Sequence, residues 1–97
     1  MKLSLEKFGK TLLSRELGSE AFKAFQPTLR ELSQDEDLEI DFSDILTLSP
    51  SWADEFFSPL LDRLGDKLIL LPSDNLSVHA TIRILEEANK RPFRIKS

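Results

Sequence analysis

Cysteine is absent from this 97-residue chain, which also has only three glycines and a single histidine, His79. Without cysteine there are no disulfides, thiol nucleophiles or thiolate metal sites. His79 has no companions at the spacing of a metal site or a hydrolase triad, and the glycines form no phosphate-cradling loop. We therefore predict a protein that is not an enzyme and holds neither a metal nor another cofactor.

Long apolar runs are also missing. The longest, at residues 68–72, is far shorter than the roughly 20 residues that cross a bilayer, and the N-terminus does not resemble a signal peptide. The net charge is −4, and a basic stretch is confined to residues 90–96. Because binding nucleic acid requires a basic surface, we expect no contact with nucleic acid. The short apolar runs and the N-terminus lead us to expect a cytoplasmic protein that does not contact a membrane.

Length and composition are those of one soluble globular domain spanning residues 1–97. Hydrophobic residues make up 40 % and charged residues 31 % of the chain, which is ordinary for such domains. A chain of this size has room for a single core. We find no internal repeat and no linker that would divide it.

Three segments show the periodicity of amphipathic helices. The first covers residues 15–33, with Ser14 as its cap, Leu17 on its apolar face and a kink at its internal proline. The third follows the turn after residue 72 and ends at Pro92. The second, over residues 51–64, has the clearest apolar stripe, formed by Trp52, Ala53, Phe56, Phe57, Leu60, Leu61 and Leu64.

Strand-like segments alternate with these helices. Residues 3–8 and 38–42 read as strands, and residues 93–95 as a short edge strand. Residues 67–71 are almost wholly apolar, as in a central strand that is covered on both faces. The alternation predicts an α/β fold with a mixed or mostly parallel sheet of about four strands and about three helices.

The most informative part of the chain runs from residue 40 to residue 57. It reads as a buried strand, a short turn and a helix whose first turn is crowded with hydroxyls and carboxylates. Hydroxyls at a helix start either cap free backbone N–H groups or accept a phosphoryl group. Either Ser49 is the cap, with Pro50 at the first helical position, or Ser51 is the cap, with Asp54 completing a capping box.

Charged side chains near this segment have structural explanations. Asp54 and Glu55 point about 100° apart on a helix, so they cannot flank one bond as paired catalytic carboxylates do. Asp41 stands at the end of a strand and needs a partner or water. We expect Arg15, or the free N–H groups of the second helix, to be that partner, and we assign Arg15 and Asp41 structural polar roles.

Four short motifs occupy residues 8–56, namely Phe8-Gly9, Leu13-Ser14-Arg15-Glu16, Ile40-Asp41-Phe42-Ser43 and Ser51-Trp52-Ala53-Asp54-Glu55-Phe56. Together they resemble a family of small bacterial STAS-like domains of unknown function, over most of residues 8–64. STAS is named for sulfate transporters and anti-sigma-factor antagonists. In the antagonists a serine in the matching loop is phosphorylated by a partner kinase. That acceptor falls on Ser51, with Ser49 as second choice, while Ser49 and Pro50 replace the family's preceding residues.

The resemblance implies a non-enzymatic regulatory domain, similar to an anti-sigma-factor antagonist. It would bind a protein partner, with a histidine-kinase-like ATPase as the candidate, through residues 43–58, and phosphorylation of serine would switch the binding. The alternative is a structural module that forms a homodimer and has no phosphoryl switch. The expected contact residues are Ser43, Asp44, Ser49, Ser51, Trp52, Asp54 and Glu55.

Overall fold

Strands and helices alternate along the chain in the computed structural model, which describes residues 1–96. The helices are α1 (Arg15–Glu31), α2 (Pro50–Leu64) and α3 (Leu76–Asn89). Short 3-10 helices cover Leu5–Phe8 and Gly65–Lys67. The strands are β1 (Lys2–Ser4), β2 (Thr11–Leu12), β3 (Leu38–Asp41), β4 (Thr47–Leu48), β5 (Leu68–Leu70) and β6 (Arg94–Ile95).

Four strands form one sheet in the order β1-β3-β5-β6, and every neighbouring pair is parallel. The predicted α/β class, with a four-strand sheet and three helices, is therefore confirmed. A second sheet, parallel β2 and β4, was not predicted. Each of its strands has two residues, which is too short for a periodic pattern to show.

The predicted first strand is wrong beyond Ser4, because residues 5–8 turn into a 3-10 helix. Leu5 and Phe8 are three positions apart, so both lie on the same side of that turn. Leu5 is fully buried, and the Phe8 ring centroid lies 5.3 Å from that of Phe56. The alternation of Leu3 and Leu5 with the polar residues Ser4 and Glu6 therefore gave the pattern of a longer strand.

The first helix begins at the predicted cap, since the Ser14 hydroxyl accepts a hydrogen bond from the Leu17 amide at 3.0 Å. The prediction that Leu17 is buried is wrong, because its side chain is 57 % exposed. Gly18 faces the core instead, and a Cβ there would stand 2.4 Å from the Trp52 carbonyl oxygen. The missing side chain therefore lets the backbones of α1 and α2 approach closely. The buried stripe of α1 is Gly18, Ala21, Phe25 and Leu29.

The second helix packs between α1 and α3 in the middle of the core. Its predicted apolar stripe is confirmed for every position except Leu64, which is only partly buried. The Phe56 ring centroid lies 5.1 Å from those of both Trp52 and Phe57, so the aromatic side chains of α2 form the centre of the core. Gly65 ends the helix with a φ of 56°, a conformation that glycine adopts without strain.

One face of the four-strand sheet packs against the helices, while the other carries mostly charged side chains. Lys2, Glu39, Ile69 and Arg94 lie in register across that second face. Ile69 is nevertheless only 5 % exposed. The prediction that the central strand is covered on both faces is thus correct for burial, but the second cover consists of long charged side chains rather than helices. Lys96 Nζ lies 2.9 Å from Glu39 Oε2 across this face.

Candidate functional site

The sequence predicted that the chain passes from β3 to α2 through a short turn alone. In the structure, strand β4 lies between them. We call residues 42–49 the β3–α2 connection. It turns sharply at Asp44, which has a φ of 66°, and the Ile45 amide bonds to the Phe42 carbonyl at 3.1 Å. Ser43, Asp44 and the side chain of Leu46 are exposed. The connection therefore presents these side chains to solvent, while Phe42, Ile45 and Leu48 anchor it in the core.

The β3–α2 connection is held in place by Asn75, a residue that the sequence analysis did not single out. Asn75 Nδ2 donates to the carbonyl oxygens of Ile45, at 2.8 Å, and Leu46, at 3.1 Å. Asn75 Oδ1 accepts from the amides of Ser77 and Val78, which makes it the N-cap of α3. One amide group thus begins a helix and fixes a loop.

Side chains of α3 also complete the hydrogen bonding of β4. The Leu48 amide donates to the Ser77 hydroxyl at 3.1 Å, and the Thr81 hydroxyl donates to the Leu48 carbonyl at 2.7 Å. Thr81 is only 2 % exposed, so a missing partner there would be costly. The connection is consequently a fixed surface rather than a loose loop.

Ser49 is the N-cap of α2. The sequence left two capping arrangements open, and the one with Ser51 as the cap is wrong. The Ser49 hydroxyl accepts from the Trp52 amide at 3.2 Å and donates to the Leu13 carbonyl at 2.6 Å. Pro50 takes the first helical position, where its missing N–H costs nothing. Ser51 follows, half-buried, and its hydroxyl bonds to nothing else in residues 1–96. Of the two predicted acceptors, only Ser51 therefore has a free hydroxyl.

Arg15 joins the starts of α1 and α2 instead of pairing with Asp41 as predicted. Its Nη1 lies 3.0 Å from Asp54 Oδ2 and 3.1 Å from Glu55 Oε1. Those hydrogen bonds, the one with Asp54 first, raise the pKa of Arg15 above its ordinary range. A hydrogen bond from Ser58, followed by that from Arg15, holds the pKa of Asp54 below its usual value. These acids are thus ion-pair partners rather than a catalytic pair.

Asp41 bonds within its own turn, so the prediction that Arg15 or the α2 amides hold it is wrong. Its Oδ1 accepts from the Ser43 hydroxyl at 2.7 Å and the Ser43 amide at 3.0 Å. These bonds, assisted by Lys2, lower the pKa of Asp41. The cause of the misplacement is the alternation of β3, which directs Ile40 to the helices and Asp41 to the opposite face.

Trp52, which we expected to contact a partner, lies in the core and is 1 % exposed. It belongs to the buried stripe of α2, so no partner reaches its side chain in this conformation. Exposed apolar side chains are found elsewhere, at Leu13, Leu46 and Leu76, with 50 %, 68 % and 80 % of their surface accessible. Leu46 and Leu76 flank the Asn75 contacts, while Leu13 is bonded to Ser49 at the start of α2.

No family model, curated protein or solved structure matches this chain. What is established is a small α/β domain with a parallel four-strand sheet, and no family is identified. Within residues 1–96 no helix is both long and apolar enough to cross a bilayer. In the same residues no three His, Asp or Glu side chains are grouped so as to hold a metal ion.

Proposed function

We propose that this protein is a non-enzymatic regulatory domain that binds a protein partner through the exposed residues of 43–58. The proposal follows the resemblance of its motifs to STAS-like domains of the anti-sigma-factor antagonist type. The parallel α/β fold is compatible with that resemblance but does not identify the family. The observation that carries the proposal is an exposed, hydrogen-bonded connection flanked by solvent-accessible leucines.

The chemistry of this surface suits a protein rather than a small ligand. Leu46 and Leu76 offer exposed apolar area, and Ser43 and Asp44 are exposed polar residues of the same connection as Leu46. Apolar anchors with a polar rim are the usual anatomy of a protein interface. Because Asn75 already fixes the backbone, binding would require little ordering of the connection.

Phosphorylation of Ser51 would act on the same surface. A phosphoryl group adds about −1.5 to −2 charges at neutral pH. It would stand on the helix face of Asp54 and Glu55, three and four positions later, and repel both. Arg15, which bridges those acids, is the positive side chain that a phosphoryl group on this face could compete for. The modification would therefore rearrange surface charges while leaving the Ser49 cap intact.

Intact-mass measurement tests the switch. The purified protein is incubated with ATP and each histidine-kinase-like ATPase encoded in its source genome. We expect wild type and Ser49→Ala to gain the mass of one phosphoryl group and Ser51→Ala to gain none. No gain in wild type, or an equal gain in Ser51→Ala, would remove the phosphoryl version of the proposal.

Partner binding is tested separately with a matched pair of surface variants. Leu46→Glu places a charge on the proposed surface, whereas Ile84→Glu places one on an exposed position of α3, where Ile84 is 48 % exposed. A partner identified with the wild-type protein should bind Ile84→Glu as tightly as wild type. It should bind Leu46→Glu at least tenfold more weakly, which corresponds to a loss of about 1.4 kcal/mol of binding free energy. Equal binding to both variants would contradict the assigned surface.

The second candidate is a homodimer without a switch. It is favoured by β6, a short edge strand whose two residues are exposed, and by the same accessible leucines. Light scattering over a concentration series separates the two functions. A constant monomer mass supports the regulatory domain, while a doubling that Leu46→Glu or Ile95→Glu abolishes supports the dimer.

A further inference from the structure

A cleft of about 380 Å³ opens where β3, β5 and β6 end, beside α3. All of its lining residues lie outside the proposed partner-binding segment, 43–58. In open α/β sheets the carboxyl ends of parallel strands are the usual place for ligands. The volume lies within the range of small-molecule sites and corresponds to about a dozen waters at ~30 Å³ each.

The floor of the cleft is apolar. Phe42, Leu70, Val78 and Ile82 line it, and each is at most 6 % exposed. Ile95 lies at the open side, where 55 % of its surface is accessible. A ligand that enters would therefore bury an apolar group against side chains that are already fixed by the core.

Charged groups of both signs stand on the rim. His79, Arg83 and Glu86 follow one another at spacings of four and three residues, so they share one face of α3. His79 bonds to the Ser73 carbonyl, and Glu86 Oε2 accepts from the Phe93 amide at 2.8 Å. Arg83 makes no hydrogen bond or ion pair within residues 1–96.

Arg83 and Glu86 are neighbours of opposite charge that do not pair with each other. The Glu86 carboxylate is turned to the Phe93 amide, and this leaves its second oxygen without a partner in residues 1–96. An apolar carboxylate would pair with Arg83 but be repelled by Glu86. An apolar amine would pair with Glu86 but be repelled by Arg83. A ligand that carries both charges next to an apolar group matches the whole cleft.

We propose that this cleft binds a free α-amino acid with an apolar side chain. Its carboxylate would pair with Arg83 and its ammonium group with Glu86, while the side chain enters between Phe42 and Ile82. The bonds to Arg83 and Glu86 are charge-assisted and set the orientation. This inference does not depend on the proposed interaction function, since the cleft and the exposed part of the β3–α2 connection use different side chains.

Titration of the isotope-labelled protein followed by NMR tests the proposal, with leucine as the probe. Three comparison compounds remove one feature each: 4-methylpentanoate lacks the ammonium group, 3-methylbutylamine lacks the carboxylate, and glycine lacks the side chain. We expect shifts at Ile82 and Ile95, and binding of leucine roughly tenfold or more tighter than that of any comparison compound.

Two variants and a control complete the test. Arg83→Gln and Glu86→Gln should each weaken leucine binding about tenfold or more. The side-chain amide introduced by Glu86→Gln retains an oxygen for the Phe93 N–H, which protects the fold. Arg30→Gln, at an exposed position of α1, should bind as wild type does. Absence of saturable shifts, equal binding of a singly charged analogue, or unchanged binding by Arg83→Gln would overturn the proposal.

Discussion

Replacing Asn75 tests how far a single amide supports this fold. Its Oδ1 caps α3, and its Nδ2 donates to the carbonyls of Ile45 and Leu46. Loss of an N-cap costs about 1 kcal/mol, and each lost hydrogen bond a further ~0.5–1.5 kcal/mol. Asn75→Ala should therefore lower the free energy of unfolding by about 2–4 kcal/mol, a large share of the ~5–15 kcal/mol typical of a domain.

Asn75→Asp separates the two contributions. Aspartate caps helices about as well as asparagine, so α3 keeps its N-cap. The carboxylate cannot donate, however, and one of its oxygens would face the carbonyl oxygens of Ile45 and Leu46. We expect this variant to lose at least the ~1–3 kcal/mol of the two loop bonds. If the cap alone mattered, Asn75→Asp would be as stable as wild type.

Urea unfolding measures the stability of each variant. An unchanged dependence of the unfolding free energy on urea concentration would show that the variants do not alter the unfolded state. Hydrogen exchange then locates the effect. The amides of Leu46 and Thr47, which bond to the Lys10 carbonyl, should exchange faster in both Asn75 variants than in wild type. Losses under about 0.5 kcal/mol in both, the usual scatter of neutral surface substitutions, would refute the role assigned to Asn75.

Three further predictions concern the helix starts. Gly18→Ala should lower stability by about 1–3 kcal/mol through overpacking, although alanine favours helices by ~1 kcal/mol; a raised melting temperature would contradict the close helix contact. Ser49→Ala should cost about 1 kcal/mol and Ser51→Ala less than ~0.5 kcal/mol, measured by urea unfolding, and the reverse order would disprove the capping assignment. The depressed pKa of Asp54 means that its contribution to stability is present above the unfolded-state value, near pH 4, and is lost as the pH falls through the folded-state pKa. Ser58→Ala should raise the pKa of Asp54 in an NMR titration, and an unchanged pKa would show that the hydroxyl has no such effect.

The parts of the fold that the sequence predicted are those in which one pattern dominates a long segment. The stripe of α2 repeats over residues 51–64, and nothing else in the chain competes with it. Strand β5 is short, but it was identified because residues 67–71 are almost wholly apolar. Strands β2 and β4 were missed because two residues carry no period, and the assignment of residues 5–8 failed because a 3-10 turn and a strand both bury Leu5.

The contacts of the candidate site were harder to predict, because they depend on which face of the sheet or helix meets another element. Asp41 and Arg15 carry opposite charges and each belongs to one of the four motifs, so they were expected to pair. In the structure Arg15 contacts Asp54, while Asp41 bonds to Ser43. Leu17 was placed on the apolar face because it lies one helical turn before Ala21, whereas the contact with α2 is made by Gly18, which has no side chain to mark it in an apolar pattern. Asn75 could have been identified from its position between a turn and a periodic segment, a typical N-cap signal.

Every ladder in residues 1–96 joins strands that are distant in sequence. Lys2 pairs with Glu39, Thr11 with Thr47, and Leu38 with Leu68, so no hairpin supplies a local beginning for either sheet. Long chain segments must close before any of these bonds forms, which is the property that slows the folding of non-local topologies. The contacts available early are those within each helix, because the packing of α1 on α2 also joins distant residues such as Arg15 and Asp54. A fragment that ends before β3 would consequently retain at most its helix, with no strand pairing at all.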